Sequence, residues 1–304
     1  MDFSKIKNAH DSAEITRAYF DQILVESRYL DSCTPDLSME LYGEKFSSPV
    51  MIAAFSHLYK NHPGGMVEMA KGAYESGICN WAGMGDCEEL SAIIGTGAKT
   101  IKIIKPYADR KRVFDMIEFA CRNGALAVGM DIDHSFGGNG YPDVVLGEEM
   151  KPVSSEELNE FIAAADKPFI VKGVLSVTDA EKCVKAGAKG LLISHHHGIM
   201  QYAVPPLMAL PEIKKAVGND IPLFVDCAVD TGADVFKCLA MGAKAVCVGR
   251  AILESFHNDG AEGVKKYVEQ MNNGLRAMMA RTCSIDIEHI AKGVLWDGNT
   301  GKRI

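Results

Sequence analysis

The chain has 304 residues, 47% of them hydrophobic and 24% charged, with a formal net charge of −8. That length can bury one large core, and an acidic balance argues against a nucleic-acid binder, whose surface is normally basic. Nine cysteines without a CxxC pair read as reduced thiols, and neither a signal peptide nor an apolar run of membrane-spanning length is read, so a cytoplasmic protein without a membrane partner is expected.

Residues Ala13–Glu26 carry Ile15, Ala18, Tyr19, Ile23 and Leu24 at helical spacing, which predicts a lead-in helix. Leu37–Phe46 alternates and turns at Gly43, a hairpin signal placed as a lid over the bottom of a barrel. From Pro49 onward short apolar runs alternate with helical patterns. The strand candidates are Val50–Ala54, Ile78–Ala82, Thr100–Ile104, Ala127–Asp131, Phe169–Lys172, Gly190–Ser194, Leu223–Asp226 and Ala245–Gly249. Helices are expected near Gly65–Ser76, Cys87–Ile94, Arg110–Asn123, Ser155–Ala164, Val177–Ala186, Pro205–Val217, Gly232–Met241 and Ala251–Ser255. Asn123-Gly124, Ala186-Gly187 and Met241-Gly242 stop three of them.

Apolar runs of this kind are buried on both faces, as parallel strands are. Eight βα units are the count of a TIM barrel, whereas a doubly wound open sheet usually has fewer strands. Ser135–Pro152, rich in Gly, reads as a loop over the top of the barrel, and Ala261–Arg281 as a final outer helix. The expected fold is therefore α/β: a (β/α)8 TIM barrel with a short N-terminal helix and hairpin and a C-terminal helix, one domain over residues 1–304.

In that fold catalytic groups stand at the C-terminal strand ends. In chain order these are Phe55, Ser56 and His57; Asn80, Trp81 and Gly83; Lys102 and Lys105; Asp131, Asp133 and His134; Lys172; Ser194 with His195, His196 and His197; Asp226; and Gly249-Arg250. A lysine closing an apolar strand, as Lys172 does, is not buried without a partner. It either pairs with Asp131 or Asp226, or faces a bound anion or electron-rich ring. Asp226 and Gly249-Arg250 close the strands that usually bind phosphate. There the opening turn of a helix offers N–H groups and its dipole, and Arg250 offers a charged clamp.

Three adjacent histidines suggest a metal, with Asp131 or His134 as a further ligand. Successive strand residues point to opposite sides, however, and a metal site needs three or four convergent ligands, so no metal is expected. His57 and His134 are open to proton transfer or to plain solvation. Of Asp131 and Asp133, one is expected to fix a histidine tautomer and the other to meet Lys172 or solvent. Cys87, Cys227 and Cys247 read as small core residues rather than nucleophiles. Trp81 and Phe55 either wall a ring or pack the core.

Several of these stretches resemble the FMN-dependent 2-hydroxy acid oxidases and dehydrogenases. They are Phe169-Ile170-Val171-Lys172-Gly173-Val174, Leu192-Ile193-Ser194-His195-His196, Pro222 to Asp226, Asp234-Val235-Phe236-Lys237 and Val248-Gly249-Arg250-Ala251; upstream, Pro49 to Ala53, His62-Pro63-Gly64 and Glu88-Glu89-Leu90 follow the same family. The resemblance runs from about residue 19 to the C-terminus and is most specific after residue 169. It implies FMN as cofactor and a small-molecule substrate. It also implies that Lys172 lies near flavin N1 and O2, that Asp226 lies near the ribityl chain, and that Gly249 and Arg250 hold the phosphate. Ala53 and Ala54 would pass the ring, Asn80 would fall near the flavin edge, and Ser194 joins the cofactor set. His196 corresponds to the family's active-site base beside flavin N5. With it, Lys105 and Asp131 complete the expected catalytic set.

The sequence also departs from that pattern. Ile199 stands where the family carries its carboxylate-binding arginine, Lys105 replaces a substrate-binding tyrosine, Ile103 a glutamine, and Asp230 the phosphate-loop arginine. Lys105 or Lys102 is the expected replacement charge for an anionic hydroxy or carbonyl substrate. Two other functions stay open at this point: a flavin-dependent isomerase of the type 2 isopentenyl diphosphate isomerase kind, and a non-catalytic flavin-binding protein. A homo-oligomer, of the tetrameric kind that barrels of this family often form, is expected by resemblance, with the Met-rich helix Asn272–Ala280 as a candidate interface.

Overall fold

The structure is a computed structural model that describes residues 6–304. Eight parallel strands form one sheet: β1 (Val50–Ile52), β2 (Asn80–Ala82), β3 (Thr100–Ile104), β4 (Ala127–Asp131), β5 (Phe169–Val174), β6 (Gly190–Ile193), β7 (Leu223–Val225) and β8 (Ala245–Val248). Their order runs β1-β8-β7-β6-β5-β4-β3-β2. The remaining seam is closed by the Ile52 amide, which donates to Cys79 O at 3.0 Å, and by bridges joining Met51 to Cys79 and Phe55 to Ala82. The result is the TIM barrel expected from the sequence. The strands are largely apolar because helices cover one face and barrel-filling side chains the other; Val50, Met51, Ile52, Ile101, Val128, Val171, Leu191, Phe224 and Val246 are fully buried.

The outer helices are α1 (Ser12–Gln22), α2 (Gly65–Glu75), α3 (Cys87–Gly95), α4 (Arg110–Arg122), α5 (Ser155–Ala163), α6 (Val177–Lys185), α7 (Pro206–Val217), α8 (Gly232–Ala240) and α9 (Leu253–Ala280). Side-chain caps fix where many of them begin. Asp86 starts α3, Asp109 starts α4 and Ser176 starts α6, while Ser154 and Thr231 make reciprocal capping boxes at α5 and α8. These starts follow the C-terminal strand ends, so the caps also hold the loops that carry the site.

Two elements differ from the expectations. First, α1 stops at Gln22; Ile23–Val25 is instead extended and pairs antiparallel with Leu295–Asp297, which pairs in turn with Lys302–Arg303. The β-branched Ile23 and Val25 suit a strand, and their partner lies too far along the chain for local periodicity to register it. Second, the two expected C-terminal helices are one. A 3-10 turn at Arg250–Ile252 runs into α9, which kinks at Gly260, where φ is 58°. On α9, Met271 and Met279 face the core, at 2% and 0% exposure, and Met278 is half-buried. No helix among the described residues is long and apolar enough to cross a membrane.

The hairpin Met39–Leu41/Glu44–Phe46 closes the barrel bottom: Tyr42 Oη donates to Lys189 O at 2.8 Å, just before β6. At the opposite end the segment after β4 forms a 3-10 turn at Ile132–Ser135 and a short hairpin, Val144–Val145/Glu148–Glu149. The Ala108 amide donates to Glu149 O and the Lys151 amide to Pro106 O, both at 2.8 Å, pinning this segment over the top.

Candidate active site

Two cavities open at the C-terminal face. The larger, about 640 Å³, runs from Lys172, His196 and Asp226 past Ala53, Ala54, Phe55 and Val229 to Gly249, Arg250 and Leu253, with Glu14 and Arg17 of α1 on its wall. The smaller, about 420 Å³, is lined by Ser56, His57, Ile103, Lys105, Asp131, His134, Val145 and Leu146 among others. Ala54, Phe55 and His196 belong to both.

A charged network divides them. Lys172 and Asp131 are direct partners in the β5–β4 register, so their side chains share one layer of the barrel. Lys172 Nζ donates to Asp131 Oδ1 at 3.0 Å and Lys105 Nζ to Asp131 Oδ2 at 2.6 Å. Burial opposes the charge on Asp131, but Lys172, His196 and Lys105 hold its carboxyl well below the ordinary range. Burial likewise disfavours Lys172, yet Asp131, Asp133 and Asp226 raise its pKa above the usual lysine value. Of the two partners left open for Lys172 by the sequence, Asp131 makes the direct contact, and the ammonium still lines the larger cavity.

His196 Nδ1 lies 2.8 Å from Lys172 Nζ, 3.0 Å from Asp133 Oδ1 and 3.3 Å from Asp131 Oδ1. Its Nε2 lies 3.0 Å from His134 Nε2, and His134 Nδ1 lies 2.9 Å from Asp143 Oδ2. Burial opposes the imidazolium at His196, but Asp131 and Asp133 outweigh it and its pKa is raised. Burial, then His196 and Lys105, push His134 down to about 4. Burial and the charge of Asp131 raise Asp133 to about 6. Local backbone makes this convergence possible. The β5 ladder shifts register at Gly173, where φ is 90°, and a Cβ there would stand 2.5 Å from Asp133 Cγ. His196 and His197 themselves hold φ of 48° and 57°, costly for non-glycine residues and typical of functional positions.

The ligand atoms of Asp131, His134 and His196 lie within 4.8 Å of one another. Two ammonium groups already occupy the two oxygens of Asp131, and a divalent ion beside them would meet strong repulsion. We therefore read the cluster as a hydrogen-bonded network.

The structure brings most of the expected residues to these walls. Ala53, Ala54, Lys172, Asp226, Gly249 and Arg250 line the larger cavity, Lys105 and Asp131 the smaller, and His196 both. Two lie off the walls. Asn80 is wholly buried and donates to Thr100 Oγ1 at 3.2 Å, while its Oδ1 has no partner. Ser194 is buried and accepts the His196 amide at 3.0 Å, setting that turn. Lys102 also faces away from both cavities: it donates to Gly83 O, and burial pushes its pKa down to about 8. Lys105 is the lysine of the pair that reaches the smaller cavity.

His195 is structural. Its Nδ1 accepts the Gly198 amide at 2.9 Å, so Nε2 carries the proton and donates to Thr16 Oγ1 at 2.7 Å, tying α1 to the mouth. Cys247 is a core residue as expected, Cys87 is exposed, and Cys227 lines the larger cavity. Trp81 is fully buried, edge-on to Phe224, whereas Phe55 walls both cavities. Sequence reasoning missed Arg17 and Asp143. Arg17 is held by Asp234 through two hydrogen bonds of 3.0 and 2.9 Å and lies 3.6 Å from Asp230; its one local signal was the i,i+4 spacing to Asp21.

The larger cavity fits FMN. Its volume is that of an ordinary cofactor site. At its outer end the N–H groups of Gly249 and Arg250, where the 3-10 turn leads into α9, donate to no protein acceptor among the described residues. Such free N–H groups beside an arginine suit a phosphate. At its inner end the buried Lys172 ammonium suits an electron-rich ring, and Ala53, Ala54 and Phe55 supply an apolar floor. Asp230 and Glu14 add negative charge near the outer end, which Arg17 offsets.

Comparison with known proteins agrees. The FMN-dependent dehydrogenase family profile matches residues 3–154 and 145–297. Glycolate oxidase from Spinacia oleracea is 28% identical over 331 residues, covering 95% of this chain and 89% of the relative. The 4-hydroxymandelate oxidase of Amycolatopsis orientalis is 27% identical, covering 86% and 84%. Among solved structures, mandelate oxidase with 3,3-difluoro-2-hydroxy-3-phenylpropionic acid superposes with a TM-score of 0.85 at 26% identity, covering 92% of this chain and 88% of that one. A mandelate oxidase variant with a C4a-OH-FMN adduct gives 0.84 at 26%, covering 93% and 91%. With the barrel, the phosphate-ready helix start and the lysine–aspartate–histidine layer in place, the chain belongs to the FMN-dependent dehydrogenase family and is an FMN-dependent oxidoreductase.

Proposed function

We propose that the chain oxidises a small anionic hydroxy compound, or reduces the matching carbonyl, with His196 as acid–base group. The observation that carries this reading is the position of His196 on the wall shared by the two cavities, beside Lys172. FMN bound in the larger cavity supplies hydride acceptance or donation. Gly249 and Arg250 hold its phosphate, Lys172 supplies positive charge beside the ring, and Asp226 lines the wall between. The substrate occupies the smaller cavity. His196 takes the hydroxyl proton; Asp131 and Asp133, both within 3.3 Å of Nδ1, stabilise the imidazolium that results. Lys105 offers the one ammonium on that wall among the described residues to the substrate's anionic group, in the role the family gives to an arginine at the position of Ile199. Ile199 lines neither cavity. Val145 and Leu146 close the smaller cavity on the side of the segment after β4.

The test is anaerobic mixing of the FMN-loaded protein with glycolate and with 4-hydroxymandelate, following flavin absorbance. Bleaching by either compound, slowed by about 100-fold or more in His196→Ala, is expected. Full-rate bleaching in His196→Ala would reject His196 as the base. Cytoplasmic location and homo-oligomeric assembly complete the reading; fractionation and light scattering test them.

A further inference from the structure

His196 has two neighbours that a lone base does not need. Its Nε2 is met at 3.0 Å by His134 Nε2, and the far nitrogen of His134 is met at 2.9 Å by Asp143. We propose that His134 and Asp143 form a proton outlet for His196, a chain of hydrogen bonds leading from the buried site to the protein surface.

The direction of the chain follows from donor counting. A carboxylate only accepts, so His134 Nδ1 carries the proton that binds Asp143. A neutral His134 then has a bare Nε2, which must accept, and His196 Nε2–H must donate. His134 is held neutral by its surroundings: burial, His196 and Lys105 all oppose a charge on it. Asp131 and Asp133 raise the pKa of His196 against burial and Lys172, so the imidazolium formed when it takes the hydroxyl proton is stabilised. The donor is thus the group that gains a proton and the acceptor the group that is empty. The line leads away from the cavities. His196 is 30% exposed at its side chain, where it lines the two cavities that cofactor and substrate would fill, while His134 is 17% and Asp143 22% exposed on the segment behind it.

The step balances without electrons. The N–H bond at His196 Nε2 breaks as one forms at His134 Nε2. The His134 Nδ1–H bond breaks as the proton passes to Asp143 Oδ2, and Asp143 releases it to water. His196 is left neutral with Nδ1–H on Asp133 and a bare Nε2, and His134 with its proton on Nε2; exchange of that proton with water returns His134 to the Nδ1–H tautomer and frees the His196 lone pair for the next hydroxyl proton. His134 acts through His196. Both relay residues sit on the segment that covers the smaller cavity, with His134 on the 3-10 turn and Asp143 just before the hairpin. The outlet therefore exists only while that segment is seated. The catalytic use of the outlet rests on the proposed acid–base role of His196; the hydrogen-bond chain does not.

The experiment is nitrogen NMR of the FMN-loaded full-length chain labelled at histidine. The expected result is a scalar coupling between the Nε2 atoms of His196 and His134. Exchange of the His196 Nε2 proton with water should slow about ten-fold or more in Asp143→Asn, a surface change compatible with folding. In His134→Leu the coupling disappears and the pKa of His196 falls, because the acceptor that stabilises its Nε2–H is gone. A purely structural role for His134 would leave the titration and exchange of His196 unmoved. Absence of the coupling, or exchange at the wild-type rate in both variants, overturns the proposal. Neither readout needs a substrate. A protein with coupling and slowed exchange but no bleaching by hydroxy acids would keep the outlet and lose the proposed reaction.

Discussion

Asp131 receives Lys105 on one carboxylate oxygen at 2.6 Å and Lys172 on the other at 3.0 Å, and all three side chains are buried. One anion thus compensates two ammonium groups inside the barrel, with His196 and Asp133 closing the cluster. Removing a buried partner leaves uncompensated charge and typically costs about 3–5 kcal/mol. Asp131→Asn is therefore expected to lose stability of that order in urea unfolding near neutral pH. Because the folded carboxyl titrates well below its ordinary value, its contribution is present above the unfolded pKa and is lost as pH falls through the folded one. The gap between wild type and Asp131→Asn should accordingly close in strong acid. Equal stabilities at neutral pH would show that relaxation or water already neutralises the pair.

Asp133 carries the opposite sign. Burial and Asp131 raise its carboxyl to about 6. Between about pH 4 and pH 6 the folded chain therefore binds this proton more tightly than the unfolded chain does, and its stability falls as pH rises through that window. The shift corresponds to on the order of 3 kcal/mol, of which loss of the contact to His196 recovers part. Asp133→Asn should flatten the pH dependence in that window and be relatively more stable above it. Urea midpoints at about pH 4.5 and about pH 7 measure this, and an unchanged slope in the variant would refute it.

These two carboxylates mark where sequence reading runs out. The barrel is legible because each strand is a short, largely apolar run, because Gly124, Gly187 and Gly242 stop the helices before three of them, and because register then places Lys172 beside Asp131. Gly249-Arg250 is legible because a strand end leading into a helix has one main use. His134 is not. Its neighbour His196 is distant in sequence, and nothing local distinguishes a mouth histidine in solvent from one wedged against another ring. Asp143 lies in a Gly-rich segment whose path depends on two backbone bonds to the β3–α4 connection. Ile23–Val25 carries a helical pattern yet forms a strand for the same reason: its partner, Leu295–Asp297, sits at the other end of the chain.

Arg250 is the side-chain cation at the outer end of the larger cavity that no carboxylate holds within salt-bridge distance among the described residues; Arg17, on the same wall, is committed to Asp234. A charge-assisted hydrogen bond to phosphate is worth about 1.5–3 kcal/mol. Arg250→Ala should therefore weaken FMN binding by roughly 10- to 150-fold, with the exposed side chain leaving stability nearly unchanged. Flavin fluorescence titration of the apoprotein measures it. Riboflavin, which lacks the phosphate, should bind wild type and variant alike; an equal loss for both would assign Arg250 to the ring or ribityl chain instead.

Lys105 decides whether the substrate must be anionic. It lines the smaller cavity and not the larger, and it stands at the position where the family has a tyrosine. Lys105→Met keeps the length and removes the ammonium. Asp131 remains paired with Lys172, so the network loses one cation while its anion stays compensated. FMN affinity should then be unchanged. The KM for a carboxylate-bearing hydroxy acid should rise by about 10- to 100-fold, the worth of one charged hydrogen bond, with a smaller change in kcat. A neutral hydroxy compound of similar size should lose no affinity. If KM for the acid stays at its wild-type value while FMN still binds, Lys105 serves only to neutralise Asp131, and the anion must be met elsewhere on the wall, with exposed His57 the next group to test.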